Sequence, residues 1–165
     1  RQGWGADESF LDWDPEYVPS RRIAIHHTVT TNDYSAGEAA QWVRAIYYYH
    51  VKGAGFNDIG YNFLIDRYGT IYEGRYGGVD KGVVGAQTLG FNTGSTGISL
   101  IGDFSGATPP SAASIRRTVR RSRFRVSSFT SPASRPARAT RWATTTSLTL
   151  HLMRSRSIRL LTVRP

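Results

Sequence analysis

Residues 22–30, Arg-Ile-Ala-Ile-His-His-Thr-Val-Thr, decide the fold because they form the clearest buried strand in the sequence. β-Branched and apolar residues fill this stretch until polar residues end it, which is typical of a strand inside a sheet. His26 and His27 are adjacent near its C-terminal end, so their side chains should point to opposite faces of the sheet. One histidine can therefore face a functional site while the other faces the core.

An amphipathic helix follows this strand. Ser35 and Glu38 have the spacing of a capping box, in which the serine oxygen accepts from an early helix N–H and the glutamate reaches back. Apolar residues then recur in steps of three and four from Ala39 to His50, and a Gly-Ala-Gly sequence at 53–55 ends the pattern. We expect His50, on the apolar face, to be a hydrogen-bonded core residue rather than a ligand.

A hairpin and one more strand complete the pattern. Segments 60–66 and 70–75 flank a turn in which Gly69 can adopt a positive φ. The glycine-rich segment 76–94 predicts a long loop, and residues 95–103 predict another buried strand. The order strand, helix, hairpin, loop, strand predicts the α/β class, with a central mixed β-sheet and flanking helices.

The chain changes character after Pro110. The 165 residues carry a net charge of +9, but residues 1–110 hold eight basic and twelve acidic residues, whereas residues 111–165 hold thirteen arginines and no acid. All 17 glycines precede residue 111. Thr108 and the two prolines after it predict the start of a second helix, yet no sustained period follows. We therefore predict a domain at 1–110 and an Arg/Ser/Thr-rich tail at 111–165, with an irregular C-terminal part.

Composition excludes several classes of protein. Cysteine is absent, which rules out disulfide frameworks and zinc sites with cysteine ligands. No apolar run approaches the ~20 residues that a membrane span needs. The sequence opens on Arg1 with no visible leader, so we interpret it as a fragment or mature domain.

Six motifs now occur in a specific order. Together they resemble the peptidoglycan recognition protein family and its zinc-dependent N-acetylmuramoyl-L-alanine amidase relatives, most closely the secreted actinobacterial members. The motifs are Arg-Gln-Gly-Trp-Gly-Ala-Asp-Glu at 1–8, Ile-His-His-Thr at 25–28, Asp-Ile-Gly-Tyr-Asn-Phe at 58–63, Gly-Thr-Ile-Tyr-Glu-Gly-Arg at 69–75, Gly-Ala-Gln at 85–87 and Gly-Phe-Asn-Thr-Gly-Ser-Thr-Gly-Ile at 90–98.

The resemblance implies a groove that receives the stem peptide of bacterial peptidoglycan, in a secreted or cell-wall protein that we expect to be monomeric. It implies hydrolysis of the amide between the muramic acid lactyl group and L-alanine, with Zn2+ as cofactor. His26 matches the first zinc ligand, and Tyr61 matches the catalytic tyrosine beside the scissile carbonyl. A three-ligand zinc keeps an open position for water, and a phenolic O–H can stabilise the developing oxyanion.

Other motif positions near the groove become candidate substrate contacts through the same resemblance. These are Thr28, Asn62, Arg75 and Asn92. Gln87 departs from the family pattern, since many relatives carry histidine there.

The larger departure concerns the remaining zinc ligands. The family supplies them late in the chain, but after Asp103 there is no Cys, Asp or Glu, and His151 stands in an unrelated context. One hypothesis is a reading-frame shift near residues 111–115, because out-of-frame reading of a GC-rich gene yields text rich in Arg, Ser, Thr, Ala and Pro. The alternative is a genuine basic extension on a zinc-free recognition module.

Three functions stay open at this point. The first is an amidase-type domain whose activity is in doubt, and the second is a module that binds muropeptides without cleaving them. The third is an Arg-rich binder of nucleic acid or another anionic polymer, whose thirteen tail arginines would act by neutralising phosphates. The acidic balance of residues 1–110 gives no support to a specific nucleic-acid partner for that part.

Overall fold

A single mixed sheet organises the molecule. The computed structural model describes residues 1–113 and 159–162. The strands are β1 Arg22–His27, β2 Phe63–Ile65, β3 Ile71–Glu73, β4 Ser95–Leu100 and β5 Arg159–Thr162. Their order is β3-β2-β4-β1-β5, with β4 parallel to both β1 and β2, β3 antiparallel to β2, and β5 antiparallel to β1. The predicted mixed sheet is confirmed.

The predicted helix is also confirmed, although its start differs in detail. Helix α1 spans Ala39–Tyr48 and continues into one wider π-helical turn, Tyr49–Gly53. Glu38 reaches back to accept from the Ser35 N–H at 2.7 Å, as expected. The Ser35 hydroxyl, however, donates to the same carboxylate oxygen at 2.7 Å instead of accepting from the helix. The carboxylate is the stronger acceptor, so it captures the hydroxyl.

The hairpin β2–β3 turns at the predicted position. Gly69 has φ +90°, a conformation that few side chains tolerate. The buried Asp66 carboxylate accepts from the backbone N–H groups of Tyr68 at 2.9 Å and Thr70 at 2.8 Å. The turn is thereby fixed by a local Asx arrangement.

Each face of the sheet has its own apolar cluster. Helix α1 covers one face, and the cluster there contains Trp4, Tyr34, Ala39, Val43, Ile46, Tyr47, Ile59, Tyr61, Leu64 and Ile101. The opposite cluster contains Ile23, Ile65, Ile98, Leu100 and Ala113. Since alternate residues of a strand face opposite sides, β1 sends His26 toward the α1 face and His27 toward the other face.

Short turns complete the described chain. Three 3-10 turns span Gln2–Trp4, Glu8–Phe10 and Ser111–Ala113. The last of these stands where a second helix was predicted to start, and the continuation of that helix lies outside the described residues. Within residues 1–113 and 159–162, no helix is long and apolar enough to cross a membrane.

Strand β5 corrects the expectation of a wholly irregular C-terminal part. Residues 159–162 pair with β1, with Ile23 opposite Leu161 and Ile25 opposite Arg159. Pairing at a sheet edge needs only free backbone N–H and C=O groups. A strand of four residues can therefore form there without the alternating pattern that sequence analysis seeks.

Candidate functional site

The two adjacent histidines separate as predicted. His26 lies on the α1 face, where its ring centroid is 5.5 Å from that of Tyr61 and its Nε2 is 3.2 Å from the Thr88 hydroxyl. His27 lies on the other face and accepts from the Phe104 N–H at 2.8 Å. Burial, with the charge of His27 as a smaller cause, lowers the pKa of His26 from 6.5 to about 4. The His26 ring is therefore neutral at pH 7.

Tyr61 occupies the centre of the site. It is 6% exposed, and its ring lies between His26 and His50, whose centroid is 5.3 Å away. Its backbone carbonyl accepts from the Arg75 N–H at 2.9 Å, which ties it to the segment just after β3. Burial raises the pKa of Tyr61, while the Ser99 hydroxyl acts in the opposite direction. The phenol consequently stays protonated and can donate a hydrogen bond.

His50 is the buried, hydrogen-bonded residue that the helix pattern predicted. It is 3% exposed, and its Nδ1 accepts from the Gly60 N–H at 3.0 Å. Burial, assisted by the charge of Arg75, lowers its pKa from 6.5 to about 4. Its role is to hold the backbone just before Tyr61.

A cavity of about 180 Å³ opens in front of Tyr61. Helix α1 and the turn after it form one wall. The polar groups belong to the threonines just after β1 and to His50 and Tyr61. The lining residues are Thr28, Thr30, Trp42, Ala45, Ile46, Tyr49, His50 and Tyr61. A largely apolar cleft with a few convergent polar groups is the usual form of a small-ligand site.

Thr28, predicted as a substrate contact, lies in this cavity. Its hydroxyl accepts from the Gly102 N–H at 2.9 Å and lies 2.8 Å from the Thr30 hydroxyl. Val29 between them has φ +55°, which is unusual for a β-branched residue. The strained turn at Val29 brings the two threonine hydroxyls together at the groove.

Asn62 and Arg75 lie elsewhere. The Asn62 amide donates to the Val83 carbonyl at 2.8 Å and accepts from the Gly97 N–H at 2.7 Å. The Arg75 guanidinium donates to the Ile59 carbonyl at 3.3 Å and stacks 4.3 Å from the Trp13 ring centroid. Both line a second, much smaller depression of about 10 Å³. Both side chains stabilise neighbouring segments in the structure, and their contact with substrate stays a prediction.

Asn92 and Gln87 belong to the loop that carries Thr88. The Asn92 side chain accepts from the Thr88 N–H at 2.8 Å, and Gln87 donates to the Ser95 hydroxyl at 3.0 Å. Contact of Asn92 with substrate likewise stays a prediction. Sequence analysis missed Thr88 and Thr30, because neither stands in a periodic pattern; the one available signal was that Thr88 follows the Gly-Ala-Gln motif.

The described residues, 1–113 and 159–162, do not fit a three-ligand zinc site. Within the part of the chain that the structure describes, no three His, Cys, Asp or Glu side chains stand close enough to hold a metal ion. His26 is a candidate ligand there, whereas the Nδ1 of His50 is already engaged. His151, the one further histidine late in the sequence, lies outside the described residues.

The mixed sheet, the helix-walled cleft and the tyrosine between two histidines define an α/β domain with a small-ligand groove. The sequence model of the family "N-acetylmuramoyl-L-alanine amidase" matches residues 16–158. The chain belongs to this family. The match continues past Pro110, and the division at residue 110 stays a prediction.

Curated relatives support the same placement. Peptidoglycan-recognition protein SA of Drosophila melanogaster is 38% identical over 113 residues, which cover 68% of this chain and 53% of that protein. Peptidoglycan recognition protein 1 of Bos taurus is 34% identical over 101 residues, covering 58% of this chain and 48% of that protein. The chain thus spans about half the length of these two relatives.

Solved structures share the fold. Peptidoglycan recognition protein-LE in complex with tracheal cytotoxin, a monomeric diaminopimelic acid-type peptidoglycan, has a TM-score of 0.64 at 34% identity, covering 73% of this chain and 70% of that one. Human PGRP-IBETAC in complex with glycosamyl muramyl pentapeptide has a TM-score of 0.63 at 31% identity, with coverages of 73% and 71%.

Proposed function

We propose that this chain binds muropeptides of bacterial peptidoglycan in the groove in front of Tyr61. The cavity of about 180 Å³ between α1 and the end of β1 is the observation that carries this proposal. Two structural relatives were solved with peptidoglycan fragments, which supports a ligand of that chemistry. A ligand of that chemistry supports a location outside the cell, secreted or at the cell wall.

The lining of the groove suits a short peptide. Trp42, Ala45 and Ile46 offer an apolar wall on which alkyl side chains can be buried. The Thr28 and Thr30 hydroxyls and the Tyr61 phenol offer donors and acceptors for amide groups. Because the Tyr61 phenol stays protonated, it can donate to a carbonyl oxygen of the bound peptide.

Filling the groove should weaken this binding. Ala45 is exposed on α1 at the wall of the cavity, so Ala45→Trp places an indole in the space for the peptide and leaves the core untouched. We expect the affinity for a muramyl pentapeptide to fall about ten-fold or more, as measured by isothermal titration calorimetry. Ala107→Trp, in an exposed loop away from the cavity, is the matched control. Equal affinities of the two variants would refute the proposal.

We further propose that the chain recognises muropeptides without hydrolysing them. The described residues hold no group of three possible ligands, whereas a catalytic zinc needs three protein ligands. We expect no release of stem peptide from muramyl pentapeptide when zinc is added, as followed by chromatography of the products. Zinc-dependent release that disappears in His26→Ala would contradict this expectation.

We attribute the loss of the other ligand motifs to a reading-frame shift near residues 111–115. The abrupt change to thirteen arginines without a single acid supports this origin. Translation of the other two frames of the gene past Pro110 should restore motifs that contain His and either Cys or Asp. If neither frame does so, residues 111–165 are a genuine basic extension.

A further inference from the structure

The Gln87 side chain packs the loop between β3 and β4 against the sheet. A Cβ atom at Gly97, in β4, would lie 2.4 Å from Cγ of Gln87, and one at Gly85 would lie 1.9 Å from its Oε1. The absence of side chains at these two positions therefore makes room for Gln87. Together with the Gln87 bond to Ser95, this packing fixes where the next residue, Thr88, must lie.

Thr88 is held from both sides of its backbone. Its N–H donates to the Asn92 side chain at 2.8 Å, and its carbonyl accepts from the Phe91 N–H at 2.9 Å. Thr88 is 9% exposed, so its hydroxyl is shielded from competing water. That hydroxyl lies 3.2 Å from Nε2 of His26, which comes from β1.

We propose that Thr88 is a positioning residue for His26: the Thr88 hydroxyl fixes the orientation of the imidazole beside Tyr61. A hydroxyl can donate to an imidazole nitrogen or accept from its N–H, so the Thr88 hydroxyl restrains the His26 ring in either tautomer. Asn92 contributes indirectly, because its side chain accepts from the Thr88 N–H. The effect of Thr88 on muropeptide binding rests on the proposed function, whereas its effect on the His26 ring does not.

The test removes the hydroxyl and then restores it. Thr88→Val is nearly isosteric and deletes the hydrogen bond, Thr88→Ser keeps it, and Thr93→Val makes the same change at an exposed position of the same loop. The first readout is the pair of ring ¹⁵N shifts of His26 at pH 7, recorded by long-range ¹H–¹⁵N spectroscopy. The second is the affinity for muramyl pentapeptide.

We expect the ring ¹⁵N shifts of His26 to change in Thr88→Val, because Nε2 loses its hydrogen-bond partner. The shifts in Thr88→Ser and Thr93→Val should match those of the unsubstituted chain, and His27 should not change in any variant. The affinity of Thr88→Val should fall about five-fold, the usual effect of one lost hydrogen bond.

An unchanged His26 spectrum in Thr88→Val overturns the proposal, whatever its affinity. A spectrum that changes in Thr88→Val and returns in Thr88→Ser supports it, even if the unsubstituted chain does not bind the pentapeptide. In that last case the proposed function fails while the positioning role of Thr88 stands.

Discussion

Asp58→Ala is expected to lower the free energy of unfolding by about 3–5 kcal/mol, the typical result of removing one partner of a buried ion pair. The Asp58 carboxylate is fully buried and accepts from the backbone N–H groups of Ile59 at 2.7 Å and Tyr76 at 2.6 Å. It also pairs with the Arg1 guanidinium at 3.1 Å, which is itself shielded from solvent. Its removal would leave two donors and part of a cation without an acceptor.

Removal of the Asp58 carboxylate should also disturb the site around Tyr61, because Asp58 stands three residues before Tyr61. Burial raises the pKa of Asp58, whereas its hydrogen bonds to backbone N–H groups and the charge of Arg1 act against this rise. The charged form of the carboxylate is therefore stabilised by all of these partners together. Urea unfolding measures the loss, and Asp80→Ala, at an exposed loop position, is the matched control. Asp58→Asn keeps the shape of the side chain but not its charge. Its loss of free energy of unfolding should lie between those of Asp58→Ala and Asp80→Ala. A midpoint for Asp58→Ala equal to that of Asp80→Ala would contradict the assigned role.

Gly74→Ala is expected to destabilise the chain by about 3 kcal/mol, at the upper end of overpacking effects. An added Cβ would lie 2.3 Å from the Tyr61 carbonyl oxygen and 2.9 Å from Cδ1 of Leu64. The nearer atom belongs to the backbone and cannot rotate away. The Gly74 N–H also donates to the Asn62 carbonyl at 2.9 Å, which keeps the two segments in contact.

This substitution should also weaken muropeptide binding, because the clash displaces Tyr61. Gly106→Ala is the matched control, since nothing lies within 4 Å of an added Cβ there and glycine is not required by its backbone angles. Thermal unfolding and the pentapeptide titration, run on both variants, check the two effects together. If Gly74→Ala were as stable as Gly106→Ala, the close approach to Tyr61 would not exist in solution.

Local features of the chain were predictable from sequence. The helix from Ala39, the turn at Gly69 and the opposite directions of His26 and His27 each depend on residues within about one turn or one strand of each other. Periodicity and turn chemistry operate over that range. The resemblance to a family then assigned His26 and Tyr61 to one site, and the structure places their rings 5.5 Å apart.

Sequence could not say which polar side chains remain available to a ligand. Asn62 and Arg75 follow the family motifs, yet their side chains bind backbone carbonyls and an aromatic ring. Thr88 carries no motif of its own, yet it reaches His26 across 62 residues of chain. Whether a buried polar group is free depends on every neighbour that surrounds it, and those neighbours come from distant segments.

The sequence by itself determined the α/β pattern, the histidine pair at the end of β1 and the absence of the later zinc-ligand motifs. Each of these is a property of residue order and composition. Only the tertiary structure decided that the groove lies between α1 and the Thr28–Thr30 turn, that Thr88 contacts His26 and that residues 159–162 pair with β1. The physical reason is that such contacts depend on strand register and loop path, which short-range periodicity does not encode.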